Sequence, residues 1–149
     1  MKTRGPWTDS DFESLNWHDV PVYGFHFESF SDDEGTSDVV FDIDYILDWI
    51  KARDSLKFSM CRAELRFLGV FGFQANLDYA TPTAGMCPFS IHEIVRETPS
   101  NVATNVLSSW KIAINWPPGE ISFQATGFRQ KLVGEPQLRG EQRLDRRMG

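Results

Sequence analysis

Large apolar residues alternate with small or polar residues in two neighbouring stretches near the start of the chain. The first stretch runs from Tyr23 to Glu28, and the second runs from Val39 to Tyr45. A period of two residues is that of a β-strand with one buried face. The segment between them, Ser31–Thr36, is polar and contains Gly35, which is typical of a turn. The pattern therefore predicts a β-hairpin.

The same pattern predicts how the two strands of this hairpin pair. The predicted partners are Phe27 with Phe41, Phe25 with Ile43, and Tyr23 with Tyr45. All six side chains would then share the buried face of the sheet. A slip of one residue would bury Asp42 and Asp44 instead, so the alternation specifies this register strongly.

Further strands follow along the chain. A second hairpin is predicted from Trp110–Trp116 and Ile121–Ala125, because the connecting residues 117–120 contain two prolines and a glycine. Alternation jumps at Gly69, which indicates a bulge or bend. The segment Ile46–Arg53 predicts the end of a strand followed by a short turn of helix. The sequence thus predicts an all-β fold of seven to nine short strands with little helix, either an antiparallel sandwich or a partly open barrel.

The length of 149 residues fits one domain that can bury a core. Residues 1–14 mix charge with glycine and proline and predict a loose lead-in. Residues 15–134 hold the predicted strands and form the β domain. Residues 135–149 are polar and rich in arginine, which predicts a tail that is extended or partly disordered.

Acidic residues are concentrated in the first third of the chain. The net charge is −6, and residues 9–54 contain thirteen of the 21 acidic residues against only Lys51 and Arg53. This balance argues against a general nucleic-acid binder. It suits a basic protein partner, although an acidic surface also serves solubility alone. The candidate residues for such a partner surface are Asp32, Asp33, Glu34 and Asp48.

Cysteine usage and hydropathy bear on where the protein works. Cys61 and Cys87 lie 26 positions apart with no second cysteine or histidine at a metal-ligand spacing. Two free thiols in a reducing compartment are expected rather than a disulfide. The first 15 residues lack the apolar core of a secretory signal, and no apolar run is long enough to span a membrane. We therefore expect a cytoplasmic protein.

One group of polar residues is a candidate site. The predicted register sets His26 opposite Asp42 on the outer face of the hairpin, with Asp44 diagonal to them. His18 could supply a second imidazole if the chain folds back at Pro21. Imidazole and carboxylate groups bind metals and transfer protons. The other interpretation of the same residues is a solvated pair of opposite charges on a half-exposed sheet.

Motifs that would assign an enzyme are absent from the sequence. It contains no GxSxG, HExxH, P-loop or Rossmann glycine pattern. We therefore expect a non-catalytic binding protein that uses no cofactor. A metal-dependent enzyme or metal binder centred on His26 stays open, as does a small β-barrel that holds an apolar ligand among its many aromatic residues.

Four segments together resemble a family of small uncharacterised bacterial β-rich proteins. These segments are residues 17–20 (WHDV), 42–46 (DIDYI), 78–86 (DYATPTAGM) and 114–117 (INWP). The order of a Trp-His-Asp segment, a hairpin with an acidic turn, and a late hairpin is also similar to that of immunity proteins of polymorphic toxin systems. These resemblances imply a bacterial origin and a β-rich fold, and the second implies the neutralisation of a toxin. They imply no catalytic residues.

Overall fold

The structure is a computed structural model that describes residues 4–80, 85–97, 107–142 and 144. Strands make up 68% of it and helix 5%, and the strands form a single antiparallel sheet. The prediction of an all-β antiparallel fold is confirmed. The nine strands of the described residues are β1 (Trp7–Thr8), β2 (Pro21–Ser31), β3 (Thr36–Ala52), β4 (Ser55–Leu77), β5 (Phe89–Glu97), β6 (Ser108–Trp116), β7 (Gly119–Ala125), β8 (Gly127–Leu132) and β9 (Gln137–Arg139). A 3₁₀ helix spans Asp9–Ser14.

Strand β4 is the centre of the sheet. One of its edges pairs with β3, and its other edge pairs in turn with β9, β8 and β7. The pairings continue from β3 through β2, β5 and β6 to β7, which returns to β4. The sheet is therefore partly ring-like. The shortest junction within this ring is between β2 and β5, where Pro21 and Val22 pair with Ser90 and Phe89.

The first predicted hairpin is present, but its predicted register is wrong by two residues. Phe25 pairs with Phe41, and Phe27 pairs with Val39. The shift has two parts. The turn pairs Ser31 with Thr36, one residue from the predicted register, and β2 then contains one more residue than β3 between Glu28 and Ser31. A shift of two preserves the faces of the sheet, so Phe25 and Phe41 still pack against each other with ring centroids 5.4 Å apart.

A second irregularity in β2 reverses the predicted orientation of Tyr23. The register slips between Val22 and Gly24. The Tyr23 hydroxyl donates a hydrogen bond to Asp44 Oδ2 at 2.8 Å, on the face of β3 opposite to Phe41 and Ile43. The buried face of the hairpin therefore loses one of its predicted aromatic residues at this bulge.

The turn of helix predicted within Ile46–Arg53 is also wrong. Strand β3 continues to Ala52 and pairs with the start of β4 through a tight turn, with Ala52 opposite Ser55. Trp49 pairs with Phe58, and their rings meet edge to face at a centroid distance of 4.9 Å. Cross-strand pairing thus overrides the nearly helical spacing of the apolar residues.

The second predicted hairpin is confirmed by β6 and β7. Trp110, Ile112 and Ile114 face the interior, and Ile121, Phe123 and Ala125 are buried opposite them. The core also includes residues outside the predicted β domain. Trp7 of β1 is buried, and Leu144 is buried near the C-terminus. The part of the chain that the structure describes contains no helix long and apolar enough to cross a membrane.

Candidate binding surface

The two histidines of the predicted polar cluster have separate partners. His18 Nδ1 lies 3.1 Å from the His92 carbonyl oxygen, and its Nε2 lies 3.5 Å from Asp19. His26 pairs with Val40 rather than with Asp42, and its Nε2 bonds the Glu28 carboxylate. The predicted pairing of His26 with Asp42 is therefore wrong, because the register of β2 is shifted.

The two aspartates of the same cluster differ in environment. Asp42 forms an ion pair with Arg62, whose Nε lies 3.2 Å from Oδ1. Asp44 is fully buried, and its Oδ2 accepts hydrogen bonds from the Tyr23 hydroxyl and the Leu144 N–H, each at 2.8 Å. The prediction that Asp44 is solvated is wrong, because Tyr23 and Leu144 cover it. Within the described ranges, no three His, Cys, Asp or Glu side chains are arranged to hold a metal ion.

Several other acidic residues in this part of the chain also have structural partners. Arg66 bridges two carboxylates, with contacts of 2.7 Å to Asp38 and to Glu28. Hydrogen bonds from His26 and then from Arg66 lower the pKa of Glu28. Asp19 accepts hydrogen bonds from the Asn115 and Gln142 amides. The acidic surface is thus narrower than the sequence indicates, because Arg62 and Arg66 lie outside residues 9–54 but pair with acids inside that range.

Three consecutive acidic residues form no such contacts. Asp32, Asp33 and Glu34 are exposed in the turn between β2 and β3, and their carboxylates make no ion pair with any residue that the structure describes. We call these residues the acidic turn. Asp48 is also exposed but lies about 40 Å further along β3 at roughly 3.3 Å per residue, so it does not belong to the same surface.

Exposed phenylalanines lie beside the acidic turn. Phe27 is 60% exposed, Phe30 is 68% exposed and Phe71 is 38% exposed. They line a mostly apolar groove of about 410 Å³, which we call the aromatic groove. Its lining also includes Gly35, Thr36, Ser37, Val39, Val70, Gly72 and Phe73. Phe27, predicted to lie in the interior, lies instead at the mouth of this groove.

Backbone irregularities create the aromatic groove. Ser29 has φ +56°, a left-handed conformation that only glycine adopts without strain, and the register slip at this point lets Phe27 and Phe30 line the same groove. Gly69 and Gly72 in β4 have φ +60° and +63°. They coincide with slips in the register of β4, against β3 near Gly69 and against β7 between Phe71 and Gln74, as the predicted bulge at Gly69 requires.

The floor of the aromatic groove is continuous with the core. The Phe73 ring contacts Phe25 and Phe27 at centroid distances of 5.6 and 5.5 Å. On its other side, it stacks on the buried Phe123 at 6.0 Å. A ligand in the groove would thus rest on rings that are already fixed by packing.

Sequence reasoning missed Phe30 and Phe71 as surface residues. One signal was available, because Phe27 and Phe30 are three positions apart and cannot share a face of a regular strand. Their apolar character would therefore require either a bulge or an exposed ring. The Gly72 flanked by Phe71 and Phe73 is a similar break in an apolar run.

The cysteines are both free in the structure, as predicted. Cys61 is buried and Cys87 is half-buried. Burial raises the pKa of the Cys61 thiol, which disfavours the reactive thiolate. Neither cysteine adjoins the aromatic groove.

No protein-family model, curated protein or solved structure matches this chain. The resemblance to uncharacterised bacterial proteins and to immunity proteins therefore stays a prediction.

Proposed function

We propose that the protein is a non-catalytic binding protein that takes up a basic protein partner through the aromatic groove and the acidic turn. The observation that carries this proposal is the exposure of Phe27 and Phe30 directly beside three unpaired carboxylates. Contiguous apolar surface of this kind marks interaction sites on soluble proteins. Because each ring is only partly exposed, burying it stabilises a complex by less than the roughly 1.5–3 kcal/mol of a phenylalanine fully transferred from water.

The acidic turn defines the chemistry of the partner. Glu34 directly precedes Gly35, which lines the groove, so the negative charge adjoins the apolar surface. No lysine or arginine is among the described residues that line the groove. An acidic surface steers a basic partner and raises its association rate, and salt weakens this effect. The partner should therefore present apolar side chains flanked by lysine or arginine.

Neutralisation of a basic toxin, the role implied by the resemblance to immunity proteins, is one specific form of this proposal. Such a protein works where its partner would act. The two free thiols are consistent with a reducing compartment, and we propose the cytoplasm as the place of binding. Binding needs neither a metal nor a catalytic residue.

The test is capture of partners from cells that produce the protein, at low and at moderate salt. The parent is compared with the variants Phe27→Ser/Phe30→Ser and Asp32→Asn/Asp33→Asn/Glu34→Gln. Matched controls are Leu138→Ser, which replaces another apolar residue with 61% exposure, and Asp48→Asn, at the far end of β3.

We expect the parent to capture a basic partner that is lost with the aromatic-groove variant and with the acidic-turn variant. Both control variants should keep it. Its recovery should also fall as salt rises. A partner that all variants capture equally would contradict the proposal, as would an acidic partner or none at either salt. A small apolar molecule that copurifies and leaves only with the Phe27→Ser/Phe30→Ser variant would assign the groove to a ligand instead.

A further inference from the structure

The two edges of β4 differ in how far they are paired. On one edge, pairing runs from Phe58 to Leu77 through β9, β8 and β7. On the other edge, β3 is the partner, and its last pair is Ser37 with Val70. Residues Phe71–Leu77 therefore have one edge that no described residue pairs with.

The burial of residues along β4 changes at the same point as the pairing with β3 ends. Between Phe58 and Val70, buried residues recur along the strand. Between Phe71 and Leu77, every residue is exposed or half-buried. An unpaired edge presents backbone N–H and C=O groups at every second residue, and these groups can pair with another strand.

The unpaired edge opens directly onto the aromatic groove. The groove is lined by Thr36 and Ser37, where β3 begins, and by Phe71 and Phe73 on the bent part of β4. An extended chain placed against Phe71–Leu77 would continue the line of β3 beyond its first residue. The acidic turn lies at the same end of β3.

We propose that the partner binds by adding an extended basic segment to the unpaired edge of Phe71–Leu77. This inference rests on the proposed function and specifies its mode. Backbone hydrogen bonds to β4 supply the pairing, and alternate side chains enter the aromatic groove. Lysine or arginine side chains on the segment face the acidic turn.

The aromatic groove distinguishes the edge of β4 from the other incompletely paired edges. Those of β3 beyond Ile43 and of β5 beyond Ile91 do not line the groove. The edge of β2 beyond Val22 is interrupted by the bulge at Ser29, and bulges hinder strand addition. On β4, the register with β7 slips between Phe71 and Gln74, but the pairs from Gln74 to Leu77 are regular, which keeps the opposite edge extended over those four residues.

The probe is a short blocked peptide in which valine and lysine alternate, titrated at low salt and followed by amide hydrogen exchange. The control is a peptoid that carries the same side chains on the backbone nitrogen and so has no N–H donors. We expect the peptoid to bind at least about tenfold more weakly. On peptide binding, alternate amides of Phe71–Leu77 should become protected, namely those that β7 leaves unpaired.

Other outcomes overturn the inference in distinguishable ways. Equal binding of peptide and peptoid without new amide protection would show docking by side chains alone, and the proposed function would stand. Absence of peptide binding would overturn strand addition, while the capture experiment judges the proposed function by itself. Protection of the same amides that grows with protein concentration, without peptide, would assign the edge to a second copy of the chain.

Discussion

The two halves of β4 show how one strand can serve both the core and a surface. From Phe58 to Phe67 it pairs with β3 on one side and with β9 or β8 on the other, except at Cys61 and Arg62, and its inward side chains Leu65 and Phe67 are fully buried. From Phe71 to Leu77 it is paired on one side only, and Phe71 is exposed. The sequence is rich in phenylalanine in both halves, so hydrophobicity alone does not distinguish them. What separates them is the bend at Gly69 and Gly72.

The largest effect that tests this comparison is the loss of stability on truncating one residue in each half. Leu65→Ala should lower the free energy of unfolding by about 2–5 kcal/mol, because Leu65 is fully buried. Phe71→Ala should cost about 1 kcal/mol or less, because its ring is already partly in water. Urea denaturation measures both. Equal losses would show that the second half is buried like the first.

The next effect concerns the carboxylates. Asp44 lies opposite Arg62 in the backbone register of β3 and β4, and its side chain is fully buried. Asp32, in contrast, lies exposed in the acidic turn. Asp44→Asn should destabilise the fold by about 1–3 kcal/mol, because the amide offers one acceptor oxygen in a buried site where the carboxylate offers two. Asp32→Asn should leave stability unchanged. A stable Asp44→Asn variant would argue against the buried hydrogen bonds.

The bend itself can be tested at Gly72. Gly72→Ala should destabilise the protein by about 1 kcal/mol, because alanine is strained at φ +63°. Gly24→Ala is the matched control, since Gly24 has no left-handed conformation and space around its added methyl group. Thermal unfolding compares the two. A neutral Gly72→Ala variant would indicate that β4 does not need this conformation to bend.

The smallest effect is a dependence on pH at the hairpin. Because hydrogen bonds lower the pKa of Glu28 in the folded protein, this residue stabilises the fold above its unfolded pKa of about 4.3. The contribution is lost as the pH falls through the lower folded value. Glu28→Gln should therefore lose less stability than the parent between neutral and acidic pH, as melting curves across that range would show. If the parent and Glu28→Gln lost stability equally with falling pH, the hydrogen bonds of Glu28 would not contribute to stability.

The sequence predicts much of the fold, because strand periodicity reports which residues face inward. The late hairpin of β6 and β7 is confirmed residue by residue at Trp110, Ile112 and Ile114. The bulge at Gly69 is also confirmed. Register was not predictable, because a turn displaced by one residue and a one-residue bulge near Ser29 together leave the alternation of Phe25 and Phe41 intact.

The candidate site was less accessible to sequence reasoning. The predicted site was a cluster of histidines and aspartates on the outer face of the hairpin. Arg62 and Arg66, which are distant in sequence, neutralise acidic residues on that face. Of the predicted acidic residues, Asp32, Asp33 and Glu34 lie together beside the aromatic groove. Phe30 and Phe71 meet there only because β2 bulges and β4 bends, and neither distortion changes the composition of the chain.

The most direct test of the unpaired edge on β4 is amide hydrogen exchange along this strand in the free protein. We predict slow exchange at successive amides from Ala63 to Phe67, where β3 and β8 pair with both edges. Between Phe71 and Leu77 we predict alternation, with slow exchange only at amides bonded to β7. Uniformly slow exchange across Phe71–Leu77 would contradict the account, because the edge offered to a partner would already be covered.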